Sequence, residues 1–325
     1  MHIVVIGASG HVGSYLVPRL VRLGHRVTAV SRGKRQPYHR DGAWEQVWSV
    51  TLDRTVLDEA GTFGSEIAAL APDVVIDLIC FTRASAEQLV KALQGSCEHL
   101  LVCGTIWIHG CSREVPTREE DARDPFGDYG VNKLAMEEYL LRQSSIGGVP
   151  ATVIHPGHIV GPGWIPLNPQ GHFNPRVFTQ IAAGEELVLP NWGLETVHHV
   201  HADDVAGLFE AALVQRAASF HQAFHAVSPA ALTLRGYAEA MYSWFGQPAN
   251  LRYAPFEAFR AEVTADEAEA TYDHIAHSPN CSMVKAERLL GFRPCYSSLE
   301  AVREAVTWLI AHGQVSLPNP SAQGK

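Results

Sequence analysis

The sequence predicts an α/β fold: a doubly wound parallel sheet with a smaller, mainly C-terminal domain. Three observations predict it. Strand and helix patterns alternate through the first 110 residues, a glycine-rich turn joins the first strand to the first helix, and the pattern becomes irregular after Val160. A chain of 325 residues is long for one compact domain and suits a large domain plus a smaller one.

The elements follow in order. Ile3–Ile6 is short, β-branched and ended by glycine, as a buried strand should be. His11–Leu23 carries an apolar stripe of Val12, Leu16, Leu20 and Leu23 and stops at Gly24, so it reads as a helix, with Pro18 inside it. Arg26–Val30 and Glu45–Val50 read as strands, Gly64–Ala71 as a helix ended by Pro72, and Val74–Ile79 as a strand. Ala84–Leu93 reads as a helix, His99–Cys103 as a strand, Tyr129–Gln143 as a helix and Ala151–His155 as a strand. Gly161–Pro175 holds four prolines and three glycines, a loop or lid. Val197–Ala202 is predicted as a strand returning to the sheet, followed by a helix over Asp203–Gln215. These elements divide the chain into a first domain of residues 1–161 and 196–228 and a second of 162–195 and 229–325. The polar tail Leu317–Lys325 is expected to be disordered.

Composition narrows the function classes. No apolar run approaches the ~20 residues that span a bilayer, and Met1-His2 leads straight into the first strand without a leader segment. A soluble cytoplasmic protein without a membrane partner is expected. The 25 basic and 34 acidic residues leave a charge of −9, and no basic patch favours nucleic acid. The six cysteines, at 80, 97, 103, 111, 281 and 295, show no two-residue gap of a zinc knuckle or redox pair and read as reduced thiols.

The turn Gly7-Ala8-Ser9-Gly10-His11-Val12-Gly13 carries the first chemistry. Gly7 allows the tight turn, Gly10 lets backbone approach a phosphate, and Gly13 lets the helix pack closely on the sheet. The helix N-terminus adds free N–H groups and partial positive charge, so Gly7, Ser9, Gly10, His11, Val12 and Gly13 are expected to hold the pyrophosphate of a nicotinamide dinucleotide. An acidic residue at the end of the second strand would bind the 2′-hydroxyl of NAD. The sequence offers Ser31 and Arg32 instead, with Lys34 and Arg35 following, which tilts the expectation to NADP, with NAD as the alternative.

Tyr129 and Lys133 stand four apart, on one helix face. A nearby ammonium favours a phenolate, and a tyrosine so tuned passes a proton to or from a substrate oxygen while hydride moves. With the glycine turn before it, this order of parts resembles the extended branch of the short-chain dehydrogenase/reductase superfamily, the NAD(P)-dependent epimerases, dehydratases and reductases built on a Rossmann sheet. The likeness covers nearly the whole chain. Leu52-Asp53-Arg54 resembles the segment whose aspartate contacts the adenine, and the strand ending at Gly104-Thr105 resembles the one that carries the family's catalytic Ser/Thr. His155-Pro156-Gly157-His158-Ile159-Val160-Gly161-Pro162-Gly163 resembles the lining of the nicotinamide pocket, and residues 199–206 and 285–294 match later signatures. The resemblance implies Thr105, Tyr129 and Lys133 as the catalytic set, Asp53, Lys133 and Pro156 as further cofactor contacts, a small-molecule substrate, and a homodimer through Ala84–Leu93 and Tyr129–Gln143.

The chain also departs from the family. Cys103-Gly104 replaces a serine pair, His109 stands where a tyrosine is usual, and His155 where an arginine is usual. Val197, with Glu195 close by, stands where sugar-nucleotide enzymes place an arginine on the diphosphate, which weakens the case for a nucleotide-sugar substrate. Arg176 offers an anion clamp from the loop side. Histidines number 17. His158, His172 and His199 are candidate pocket residues, and the strand pattern puts His199 and His201 on one face and His198 on the other. No ligand geometry is legible, so no metal is expected. The rival reading is a cofactor-sensing or RNA-binding protein that keeps the fold without redox turnover.

Overall fold

In β1 (His2–Ile6) all five positions are buried, because both faces of this strand are covered by helices. The computed structural model describes residues 1–318, so the expected disordered tail falls mostly outside the described residues. After β1 come α1 (His11–Arg22), β2 (Arg26–Ser31), β3 (Trp48–Thr51), α2 (Arg54–Glu59), α3 (Phe63–Ala68), β4 (Val74–Asp77), α4 (Arg83–Leu93), β5 (His99–Cys103), α5 (Gly127–Ser145) and β6 (Ala151–Pro156). The second half adds β7 (His158–Val160), α6 (Arg176–Ala182), β8 (Leu187–Pro190), β9 (Thr196–Val197), β10 (His199–His201), α7 (Ala202–Val214), α8 (Arg216–Ser219) and β11 (Gln222–Ala226). The chain then forms β12 (Leu232–Thr233), α9 (Leu234–Trp244), β13 (Leu251–Ala254), α10 (Phe256–Phe259), α11 (Ala265–His277), α12 (Val284–Leu290) and α13 (Ser298–Ala311).

Seven strands form one parallel sheet in the order β11-β6-β5-β4-β1-β2-β3. The chain winds outward from β1 in one direction through β2 and β3, then in the other through β4, β5 and β6. The reversal lies between β1 and β4, where the helices that follow them turn to opposite faces and open a crevice at the strands' carboxyl ends. On one face α1 and α7 bury Leu16, Val17, Leu20, Val205 and Phe209; on the other, α3, α4 and α5 bury Phe63, Leu89, Met136 and Leu140. Each such side chain stabilises by roughly 1.5–3 kcal/mol. A third core, around Phe178, Leu189, Tyr237, Met241, Val302 and Leu309, belongs to the later segments. Ala286 and Leu290 of α12 instead pack back into the first core.

Several expectations differ in detail. The strand expected over Glu45–Val50 begins as a 3-10 turn over Gly42–Gln46, because the Asp41 carboxylate accepts the Ala43 N–H (2.9 Å) and caps a helical start. Val197–Ala202 does not return to the main sheet. After Pro156 the chain leaves β6 at Gly157, where a Cβ would stand 2.3 Å from the His198 carbonyl, and β10 pairs with β7 in a separate two-stranded sheet. The seventh main strand is β11, a segment the hydrophobic pattern alone did not mark.

Candidate active site

A cleft of about 1000 Å³ opens at the carboxyl ends of the sheet strands. Its first wall is the glycine-rich turn. Gly7 has φ +82°, and a Cβ at Gly13 would lie 2.3 Å from the Ala8 carbonyl oxygen, so α1 can approach β1 this closely only without a side chain there. No side chain caps α1 and its first turn contains no acidic residue, which leaves the helix N-terminus to an outside anion. This cradle fits a dinucleotide pyrophosphate. Gly7, Ser9, Gly10, His11, Val12 and Gly13 all line it.

Ser31, Arg32, Lys34 and Arg35 line the next stretch of wall. Arg35 reaches Tyr38 (2.8 Å), and Tyr38 with Trp164 of the proline-rich loop packs around His11, the Trp164 and His11 rings stacking at 5.1 Å. That burial holds His11 neutral, its pKa lowered to about 3. Asp53 also lines the cleft, and its carboxylate caps α2 by accepting the Thr55 N–H (3.2 Å). Below it, Arg54 is buried against Asp77, with which it makes contacts of 2.6 and 2.7 Å; the fully buried carboxylate at the end of β4 requires this partner.

At the far end, β5 delivers Thr105, α5 delivers Tyr129 and Lys133, and β6 delivers Pro156; all four line the cleft. Thr105 Oγ1 accepts the Trp107 N–H (3.2 Å), so its own hydroxyl proton is left for another oxygen. Lys133 is almost wholly buried. Its Nζ donates to the carbonyls of Cys80 and Cys103, both at 2.7 Å, and lies 4.6 Å from the Phe81 ring centroid. The ammonium therefore ties the loop after β4 to the end of β5. Its Nζ lies 5.9 Å from the Tyr129 ring centroid, on the helix face the four-residue spacing predicts. Tyr129 is 45% exposed, and the partial burial of its phenol pushes the pKa up, with the Thr105 hydroxyl pulling the other way. The phenol is protonated at neutral pH.

Of the expected pocket histidines, only His158 lines the cleft. Both its ring nitrogens are buried without a protein partner, and burial with His274 and His199 nearby keeps it neutral. His172 is taken up by Asn168, Asn174 and Gln170, His199 contacts the Leu167 carbonyl (3.1 Å), and Arg176 is exposed at the start of α6; none of the three lines the cleft. The neighbours His198 and His201 also serve the fold. His198 joins Ser228 and Cys281, and His201 caps α7 through the Asp203 N–H. Sequence reasoning missed Phe81, Trp107, Phe173 and His274, which complete the lining. Trp164 and Phe173 fall in the lid segment, so its proline content was the available signal; Trp107 and His274 carried none.

The sequence profile of the NAD dependent epimerase/dehydratase family matches residues 3–224. The chain belongs to this family. A 2′-dehydrokanamycin reductase of Streptomyces kanamyceticus is 29% identical over 97% of this chain and 86% of its own length. The chloroplast stem-loop binding protein of 41 kDa b of Arabidopsis thaliana is 27% identical over 93% of this chain and 78% of its own. In fold, the chain is similar to the UDP-glucose 4-epimerase of Thermotoga maritima solved with UDP-glucose, at TM-score 0.72 and 19% identity, over 96% and 99% of the two chains. As an epimerase/dehydratase family member, the protein is an NAD(P)-dependent oxidoreductase or epimerase of the extended short-chain type, acting on a hydroxyl or keto carbon of a small molecule. Among the described residues no helix is long and apolar enough to cross a membrane.

Proposed function

We propose that the enzyme is an NADPH-dependent reductase of a ketone on a glycosidic or similarly polyhydroxylated molecule that carries no diphosphate. The distribution of basic side chains along the cleft carries this reading. Arg32, Lys34 and Arg35 stand together at the end of β2, with no carboxylate there, which suits the 2′-phosphate of NADPH. At the other end the lining is Trp107, His158, Phe173 and His274, and the nearest basic group, Lys133, is held by two carbonyls. The family position for a diphosphate-gripping arginine is Val197, which is fully buried in the third core, and Glu195 beside it is engaged by Asn191.

The roles follow from the geometry. When bound, the nicotinamide supplies hydride to the carbonyl carbon. Thr105, whose hydroxyl faces the Tyr129 phenol in this structure, turns its proton to the reacting oxygen when substrate is bound. Tyr129, protonated at neutral pH, donates the proton that converts this oxygen to a hydroxyl. Lys133 has one N–H beyond its two carbonyls for the ribose hydroxyls. His158, with both nitrogens unpartnered, accepts or donates to substrate hydroxyls. A homodimer through α4 and α5 belongs to the same reading, and solution mass checks it. A role in stem-loop binding has the name of the chloroplast relative in its favour; the charge of −9 opposes nucleic-acid binding.

The test is NADPH consumption, read near ~340 nm, against keto-glycosides and against UDP-hexoses. Turnover of the neutral ketones supports the reading. Interconversion of UDP-hexoses with retained NAD and no net consumption overturns it.

A further inference from the structure

The family departures Gly104, His109 and His155 meet at one place. Gly104 lies against the His155 ring, where a Cβ would stand 2.6 Å from Cδ2. His155 on β6 is in register with His225 on β11, and His109 closes the 3-10 turn that follows Thr105. All three rings are buried, and each offers one nitrogen such that the three nitrogens lie within 4.8 Å of one another.

The outer nitrogens fix which atoms these are. His109 Nδ1 faces the Ala122 carbonyl and His225 Nδ1 faces the Ser282 carbonyl, both at 3.2 Å. A carbonyl only accepts, so both contacts are hydrogen bonds when each Nδ1 carries the hydrogen, and in that tautomer each Nε2 is bare. Yet the two Nε2 atoms face each other at 2.9 Å. In that tautomer two lone pairs face each other and repel, and a cation between them relieves the repulsion while keeping both carbonyl contacts. His155 Nε2 meets the Glu137 carboxylate, whose other oxygen is paired with Arg123 (2.9 Å). That leaves His155 Nδ1 bare, buried and without a partner.

We propose that His109 Nε2, His155 Nδ1 and His225 Nε2 hold a divalent first-row transition metal ion, zinc by preference. Three imidazole nitrogens, with a water in the fourth position, are a known tetrahedral zinc donor set. In such sites the second ring nitrogen of each ligand is oriented by a carboxylate or a backbone carbonyl, and here all three are: by Glu137, Ala122 and Ser282. Glu119, which accepts the His225 backbone N–H (2.9 Å), adds a second buried carboxylate to balance the ion's charge. Tetrahedral zinc at ~2.0–2.1 Å from nitrogen needs ligand atoms ~3.3 Å apart, between the closest and the widest spacing present. The alternative occupant of the gap is a proton, making one ring an imidazolium. Burial opposes it: all three rings lie in the interior, where an added charge is costly unless it is paired. The ion would join the turn after Thr105, the end of β6 that leads to Pro156, and β11. Its role is structural, fixing the floor of the active cleft from behind.

The test uses the untagged full chain, stripped with a chelator and dialysed, with zinc chloride and cobalt chloride as probes. The expected result is ~1 equivalent of zinc per chain, visible absorption of tetrahedral cobalt, and a raised melting temperature. His225→Gln should abolish binding, and Glu137→Gln, which keeps all three ligands, should weaken it ~10–100-fold. A folded wild-type chain that takes up neither metal overturns the proposal. So does stoichiometric binding that survives His225→Gln in a folded variant, which would place the ion elsewhere. A nitrogen-15 spectrum of the metal-treated chain showing an imidazolium at His109 or His225 would overturn it as well.

Discussion

Replacing Lys133 by methionine keeps the length of the side chain and removes its charge. Two carbonyls, of Cys80 and Cys103, then lose a donor at 2.7 Å in a buried setting. Each charge-assisted bond is worth ~1.5–3 kcal/mol, so the pair stabilises by about 3–6 kcal/mol. Relief of the desolvation that lowers the Lys133 pKa offsets part of this. The net loss should be roughly 2–4 kcal/mol, read as a fall of roughly 3–6 °C in melting temperature for a chain of 325 residues. Turnover should fall as well, because the ribose contact is gone. Thermal melts of the cofactor-free protein, beside a fluorescence titration with NADPH, separate the two effects. A Lys133→Met chain that melts with the wild type would refute the reasoning that this lysine ties β4 to β5.

Tyr129→Phe should behave oppositely: the residue is 45% exposed, so stability should move by less than ~0.5 kcal/mol, while kcat falls ~10²–10⁴-fold with NADPH binding intact. A variant with full activity would remove the phenol from the mechanism. Arg32→Ala should raise KM for NADPH ~10–100-fold, the loss of a charge-assisted contact, and leave KM for NADH unchanged; an equal effect on both would refute the 2′-phosphate reading. Acid should unfold the protein early. His99, with a pKa of about 3, and His172, His198 and His199, each at about 4, are buried neutral, against an ordinary 6.5. Between those values the unfolded chain binds protons the native chain cannot. Stability is therefore complete above 6.5 and falls as pH drops toward 4, by up to ~1.4 kcal/mol per pH unit for each histidine. Urea unfolding at several pH values checks this, and a flat profile would contradict it.

The parts of the site that were legible in the sequence are those imposed by local sterics and helical spacing. Gly7, Gly10 and Gly13 are required by a turn between adjacent elements, and Tyr129 and Lys133 by one turn of α5. The basic run after β2 was legible for the same reason. What sequence could not supply was long-range company. β11 is short and holds Gln222 and His225, so nothing in its pattern marks a sheet strand until β6 is seen beside it. The histidines show the same limit. The clustered His198, His199 and His201 drew attention as neighbours in sequence, yet they cap and brace the fold. The three whose nitrogens converge, His109, His155 and His225, come from separate elements. Likewise Lys133 has the expected place but an additional task, because its carbonyl partners lie in the loop after β4 and at the end of β5, which only the folded sheet brings together.

The proposed reduction is tested most directly by following the hydride. With NADPH carrying deuterium at the transferable C4 position and a keto-glycoside as substrate, the account predicts deuterium on the carbinol carbon of the alcohol formed, and this transfer slowed ~10²–10⁴-fold in Tyr129→Phe. A UDP-hexose epimerised with no deuterium leaving the cofactor pool, and no label in any keto-glycoside product, would contradict it.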